Sequence, residues 1–178
     1  PDMTRFIMSI DQAVHLVIKS ATMACGGEVF VTKMPVITIK DLAEVMVKEL
    51  APRFGFDPTD IAIDIIGSRP GEKLYEELMT DEEVRRTIEL ERYFVVKPAF
   101  TSFYKPINYM YQDMMNQEVD EAYNSENISP MTHAELREFL LSNRLLKDVD
   151  PGGGHGSEEG DAHDPTWGAK ARANVPSR

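Results

Sequence analysis

Residues 61–74 read Ile61-Ala62-Ile63-Asp64-Ile65-Ile66-Gly67-Ser68-Arg69-Pro70-Gly71-Glu72-Lys73-Leu74, and their reading decides the fold. The nearly continuous apolar run over 61–66 predicts a strand buried on both faces. Glycine ends it; an arginine, a Pro-Gly turn and a Glu-Lys pair follow, and helical spacing resumes over 73–79. Strand ends that open into helices are where α/β proteins place their ligands. A guanidinium presents a planar fork that matches phosphate oxygens and keeps its charge in a partly buried site. Pro70 fixes φ and Gly71 permits backbone angles closed to other residues, which would hold that fork on a preorganised turn. Glu72, acceptor-only when ionised, suits the paired hydroxyls of a ribose or sugar. Arg69 and Glu72 are therefore candidates for holding a phosphorylated ligand. The alternative is a plain surface Arg–Glu pair at a helix start, with Glu72 complementing the helix dipole.

The composition around this stretch is that of a soluble globular protein: 178 residues, 42% hydrophobic and 28% charged. The length suits one domain, or one domain with a tail. A net charge of −11 argues against nonspecific binding to nucleic acid or an anionic membrane surface. An anionic ligand would need local positive charge, so each arginine in a turn matters. Cys25 is the single cysteine, which excludes an internal disulfide and points to a reducing, cytoplasmic setting. No apolar run approaches a membrane span, and the first residues are not a signal peptide. The start at Pro1, inside an ordered-looking segment, is expected to be a cut through a longer chain.

Upstream, Ser9 and Gln12 form a capping box for a helix to about Thr22, with Ala13, Val14, Val17, Ile18 and Ala21 on one face. Gly26-Gly27 ends that helix and residues 28–31 read as a strand. Thr38 can cap a second helix carrying Leu42, Val45, Met46 and Leu50, stopped by Pro52. Downstream, Thr80 with Glu83 caps a short helix running to about Leu90, and residues 92–96 are strand-like. Ile107, Met110, Tyr111, Met114 and Met115 sit at helical spacing after Pro106; they read as a packing stripe rather than a metal or cofactor box. Thr132 and Glu135 cap a last helix bearing Leu136, Phe139, Leu140 and Leu145. The predicted domain spans 1–147, and the Gly-, Ala- and Asp-rich stretch 148–178, with Trp167 isolated in it, reads as a disordered tail. The predicted class is α/β or α+β, with neither a Gly-x-Gly-x-x-Gly loop nor room for a nucleotide-binding half.

Other candidates are weaker. Arg5, between Met3-Thr4 and Phe6, needs a partner, either a ligand phosphate or an acid of the domain, unless it simply faces solvent. Tyr93 and Lys97 have the spacing of the Tyr-x-x-x-Lys proton-transfer pair, but along a strand they stand about 13 Å apart and cannot cooperate. His15, His133, His155 and His163 share no metal-ligand spacing, and Cys25 has no neighbouring histidine to activate it.

Thr4-Arg5-Phe6, Gly27-Glu28-Val29-Phe30-Val31, Lys33-Met34-Pro35, Asp41-Leu42-Ala43 and Arg69-Pro70-Gly71-Glu72-Lys73-Leu74, in this order, carry a resemblance. It resumes at Tyr123-Asn124-Ser125 and Glu135-Leu136-Arg137. The chain resembles the C-terminal part of capsular polysaccharide biosynthesis (CapD-like) proteins, the inverting UDP-N-acetylglucosamine 4,6-dehydratase group of extended short-chain dehydrogenases. The resemblance implies a larger enzyme whose N-terminal Rossmann half binds NADP and carries the catalytic Lys and Tyr, while this substrate-binding part closes over a UDP-sugar. It implies contacts to the UDP portion from Arg69 and Glu72, and cleft-lining roles for Met3, Thr4 and Arg5. The family reaction oxidises the sugar at C4, eliminates water across C5 and C6, and returns hydride to C6 with inversion at C5. Lacking the Rossmann half, this chain is expected to be inactive alone, to have that half as its partner, and to belong to a homo-oligomer when intact. Neither catalytic nor cofactor-binding residues nor a metal site are expected in it, and residues 100–119 depart from the family. The competing reading is a noncatalytic interaction or structural module that keeps the fold.

Overall fold

The computed structural model describes residues 3–100 and 107–147. The expected tail, with Trp167, His155 and His163, lies outside them. Local signals position the helices. Ser9 accepts the Gln12 amide N–H while the Gln12 side chain accepts from the Ser9 amide, and this closed box starts α1 (Ile10–Met23). Thr38 accepts from the Asp41 amide at the head of α2 (Ile39–Leu50). Reciprocal boxes also open α3 (Asp81–Val84) and α4 (His133–Ser142). Each box satisfies N–H groups that a helix start leaves without intrahelical partners.

Strands β1 (Thr4–Phe6) and β3 (Val36–Thr38) pair with each other, as do β4 (Glu77–Met79) and β8 (Tyr123–Asn124). The remaining strands, β2 (Val29–Thr32), β5 (Thr87–Leu90), β6 (Tyr93–Val96) and β7 (Met114–Asn116), form a four-stranded sheet in the order β2-β6-β5-β7. All these pairings are antiparallel. Among the described residues the result is a mixed α/β unit with three small sheets and a divided core. Ile37, Val45, Leu136, Leu140 and Leu146 make one cluster between α2 and α4. Strand β6 separates the other two by its alternation: Tyr93 and Val95 join Ile88 and Leu90 on one face, and Phe94 and Val96 join Met79 and Tyr123 on the other. Tyr93 is thus a buried strand residue, as its rejection as a catalytic partner for Lys97 requires.

Four sequence expectations need correction. Residues 61–66 are not a buried strand: Ile61, Ile63, Ile65 and Ile66 are exposed, and the backbone of 62–68 makes no hydrogen bond among the described residues. The strand buried on both faces is β6 instead. Residues 73–79 are not helical, because β4 pairs with β8 there. The helix after Thr80 stops after one turn, and residues 87–90 join the sheet as β5. The methionine-rich stripe is no helix either: Tyr111 is buried beside β5 and β6, and Met114 begins β7. In the last three cases pairing to another segment overrode a local pattern. The first helix forms as expected, but turns Leu16 and Met23 toward the sheet cluster and leaves Ile10, Val14, Val17 and Ile18 in solvent. No helix among the described residues is long and apolar enough to cross a membrane.

One ion pair braces the sheet. Lys33 Nζ lies 2.6 Å from Glu89 Oε1 and 4.9 Å from the centre of the Phe94 ring, while Asn116 Nδ2 donates to Glu89 Oε2 at 2.6 Å. The Lys33 hydrogen bond, and then that from Asn116, hold the Glu89 carboxyl below its ordinary range. A lowered folded pKa means stabilisation that is full above the unfolded value and lost as pH falls through the folded one. Glu89→Gln is expected to cost roughly 1 kcal/mol near neutrality, in line with hydrogen bonds to a charged, partly exposed group. Denaturant melts should show that difference shrinking below pH of about 4, near the ordinary carboxylate pKa; a pH-independent difference would contradict the assignment.

Candidate functional site

Strand β1 presents one edge to β3, with Arg5 opposite Ile37, and to its other side the chain returns after the Arg-Pro-Gly-Glu turn. The Thr4 amide donates to the Leu74 carbonyl at 2.9 Å. Arg5 clasps the same segment: Nη1 donates to the carbonyls of Thr4 (2.7 Å) and Leu74 (3.3 Å), and Nη2 to that of Lys73 (2.8 Å). Its Nε, 3.8 Å from Glu76 Oε1, and one Nη2 N–H have no hydrogen-bond partner among the described residues. The guanidinium, paired with Glu76, therefore keeps part of its donor set after anchoring the loop.

Glu76 and Ser125 lock the seat. Glu76 Oε2 accepts from the Phe6 amide at 2.9 Å. Ser125, fully buried, has its hydroxyl 2.9 Å from both Thr4 Oγ1 and the Glu76 amide, and its own amide donates to the Glu76 carbonyl at 2.8 Å. Two positions back, the Tyr123 ring stacks on Phe6 with centroids 4.8 Å apart. Its hydroxyl accepts from the Met34 amide at 2.6 Å and lies 3.1 Å from the Met34 carbonyl; burial raises the phenol pKa. The Thr-Arg-Phe, Lys-Met-Pro, Arg-Pro-Gly-Glu-Lys and Tyr-Asn-Ser stretches thus meet around one small node.

On that seat, residues 69–72 make a tight turn. The Glu72 amide donates to the Arg69 carbonyl at 3.0 Å, with Pro70 second and Gly71, at φ 90°, third. Nothing lies within 4 Å of a Cβ built on Gly71, so its positive φ rather than crowding is what demands glycine. Glu72 Oε2 accepts from the Arg69 amide at 2.9 Å, which leaves Oε1 for other use. The Arg69 guanidinium has neither hydrogen bond nor ion pair among the described residues, and the whole stretch 61–75 is exposed. The guanidinium thus extends into solvent from a turn that Pro70, Gly71 and Glu72 hold.

The sequence expectations sort accordingly. Arg69, Glu72 and Arg5 belong to one loop-and-strand assembly, and the Thr4 hydroxyl is engaged with Ser125. Met3 is tied to the other side of β1, its carbonyl accepting from the Ile39 amide at 3.0 Å at the head of α2. Glu76, Tyr123 and Ser125 were not singled out as seat residues, although Tyr-Asn-Ser carried part of the resemblance. A separate cleft of about 890 Å³ opens between α1, Met34-Pro35 and the Glu91–Tyr93 turn; it contains none of the five candidate residues. His15 is an exposed helix residue whose Nδ1 lies 2.7 Å from the Asp11 carbonyl. Removing the buried Ser125 hydroxyl would strip the Glu76 amide and Thr4 of partners. Ser125→Ala is expected to cost about 1–3 kcal/mol and to speed proteolysis within 67–75; an unchanged melt and digestion pattern would refute the role of the node.

Residues 1–98 match the family model described as polysaccharide biosynthesis protein, and the chain belongs to that family. It is 61% identical over 98 residues to an uncharacterized membrane protein of Methanocaldococcus jannaschii, covering 55% of this chain and 29% of that one. It is 33% identical over 97 residues to the UDP-N-acetylglucosamine 4,6-dehydratase (inverting) of Campylobacter jejuni, covering 54% and 26%. The UDP-glucose 4-epimerase of Rickettsia felis is 33% identical over 142 residues, covering 80% and 39%. Among solved structures, Pen from Bacillus thuringiensis superposes with a TM-score of 0.68 at 36% identity, covering 82% of this chain and 40% of that one. The chain therefore spans well under half the length of these relatives, consistent with the C-terminal part of an extended short-chain dehydrogenase.

Proposed function

We propose that this chain is the UDP-sugar-binding part of a nucleotide-sugar 4,6-dehydratase or epimerase of surface-polysaccharide or glycan biosynthesis. The observation that carries the reading is the Arg69 guanidinium, without a partner among the described residues, on a Pro-Gly turn. In this reading Arg69 takes the diphosphate bidentately. Arg5, already holding the turn to β1, supplies a second positive charge, and Glu72 Oε1 accepts from a ribose or sugar hydroxyl. Thr4 and Met3 hold the strand that forms the floor. The names carried by the Campylobacter and Rickettsia relatives support a nucleotide sugar as the ligand class.

A dinucleotide cofactor does not fit the described residues: their strands pair only antiparallel, and no glycine-rich strand-to-helix turn is present to cradle a pyrophosphate. NADP, the catalytic Lys and Tyr, and the hydride chemistry therefore belong to a nucleotide-binding half outside these residues, and the chain alone is inactive. The solvent-facing Ile10, Val14, Val17 and Ile18 of α1 are the apolar surface such a half would cover, in a cytoplasmic homo-oligomer. The test is turnover by the longer protein and by the 178-residue chain, each given UDP-N-acetylglucosamine and NADP. The longer protein is expected to release a 4-keto-6-deoxy sugar nucleotide, and the short chain none. A longer protein that neither turns over nor binds UDP-sugars would leave the noncatalytic module as the correct reading.

A further inference from the structure

Away from the Arg-Pro-Gly-Glu turn, three metal-ligating side chains converge where α4 begins against α2. Asp41 and Glu44 lie one helical turn apart on α2, and His133 is the first residue of α4. His133 Nε2 is 2.9 Å from Asp41 Oδ1 and 3.3 Å from Glu44 Oε2. One donor atom from each lies within 4.8 Å of the others, and no other such group of three occurs among the described residues.

The spacing matches a coordination shell. Nitrogen and oxygen donors about 2.0–2.1 Å from one dication stand roughly 2.9–3.4 Å from each other, the octahedral and tetrahedral edges. Both measured separations from the imidazole fall in that range. The side chains are 54% (His133), 28% (Asp41) and 37% (Glu44) exposed, so an ion can enter and water can complete the shell. The hydroxyl of Thr38, the N-cap of α2, accepts from the Asp41 amide at 3.0 Å and so fixes the backbone that carries one ligand. Such outer hydrogen bonds orient the ligands of metal centres. Lys40 Nζ lies 3.5 Å from Glu44 Oε1, on the opposite side of the carboxylate from His133, and leaves Oε2 facing the imidazole.

We propose that Asp41, Glu44 and His133 bind one divalent first-row transition-metal ion of the zinc class, joining the start of α4 to α2 independently of the UDP-sugar site. Mixed imidazole and carboxylate donors suit zinc, cobalt or nickel better than magnesium or calcium. The ion would brace the two helices whose Val45, Leu136 and Leu140 share a core cluster. Its role is structural, with open positions held by water.

Calorimetry and thermal melts on the chelator-treated 178-residue chain, with zinc chloride or magnesium chloride, test this. Zinc is expected to bind at one saturable site and raise the melting midpoint by several degrees, as any ligand of the folded state does; magnesium should do neither. Cobalt should give visible d–d absorption bands that zinc abolishes. His133→Ala and Asp41→Asn should remove the zinc-dependent shift while leaving the metal-free circular dichroism unchanged. The double variant His155→Ala, His163→Ala should retain it, which separates this site from the remaining histidines of the tail. No zinc-dependent shift, or binding undiminished in His133→Ala, would overturn the proposal and leave His133 as a simple ion-pair partner.

Discussion

Replacing Arg69 by alanine in the longer protein is expected to weaken UDP-sugar binding by about 2–3 kcal/mol, the range for hydrogen bonds to a charged group. That corresponds to roughly 30- to 150-fold in Kd. The magnitude rests on geometry. The guanidinium is exposed, has no partner among the described residues, and rides on a turn fixed by Pro70, Gly71 at φ 90° and the Glu72 carboxylate. The side chain gives up little internal bonding on engaging a phosphate, so nearly all of the new interaction counts toward affinity. Arg69→Lys should recover only part of the loss, because an ammonium cannot bond bidentately in a fixed plane. Titration calorimetry with UDP decides the matter. Unchanged affinity in Arg69→Ala would remove the turn from the site, whatever the protein then proved to catalyse.

Leu136→Ala is expected to be the most damaging single substitution for stability, at about 2–5 kcal/mol. Leu136 is fully buried on α4 and packs with Ile37 on β3, Val45 on α2, and Leu140 and Leu146. Truncation removes apolar burial and leaves a void among side chains from several elements, which cannot all relax inward together. Domains of this size carry only about 5–15 kcal/mol in total, so the variant should unfold at markedly lower denaturant. An unchanged midpoint would mean that α4 does not belong to the cooperative unit. Because β3 is also the partner of β1, the variant should loosen the Arg69 turn as well, seen as faster amide exchange at Thr4.

These two positions show what could be read in advance and what could not. Leu136 was legible because its helix is announced locally, by Thr132 and Glu135 and by apolar residues at helical spacing. The same holds for Ser9 and Thr38, while Thr80 announced only the start of its single turn. Arg69 was legible as chemistry, a fork beside a Pro-Gly turn, but its support was not. Nothing within a few residues of Arg69 reveals that Arg5 would grip the carbonyls of Lys73 and Leu74, or that Ser125 would seat Glu76. The errors over 61–66, 73–79 and 107–115 share that cause. An apolar run or a helical spacing describes how a segment could bury itself; which distant strand is available to pair with it is set by the rest of the chain. On α1 the amphipathic pattern named the helix correctly but not the surface its apolar side would meet.

The bond between Thr4 and Ser125 closes a span of 121 residues. During synthesis, the Arg-Pro-Gly-Glu turn therefore emerges long before the segment that seats it. Closing so long a loop carries an entropic cost that only the completed set of contacts offsets. Helices α1 and α2 can form while the chain is still being made, but the turn over 69–72 has no fixed seat until Tyr123 and Ser125 arrive. A nascent chain stalled before that point, or a mature one clipped between β7 and β8, would retain every residue of the Arg-Pro-Gly-Glu turn yet lack the contacts that seat it. On the reading proposed above, competence to bind would be conferred by the late-emerging part of the chain.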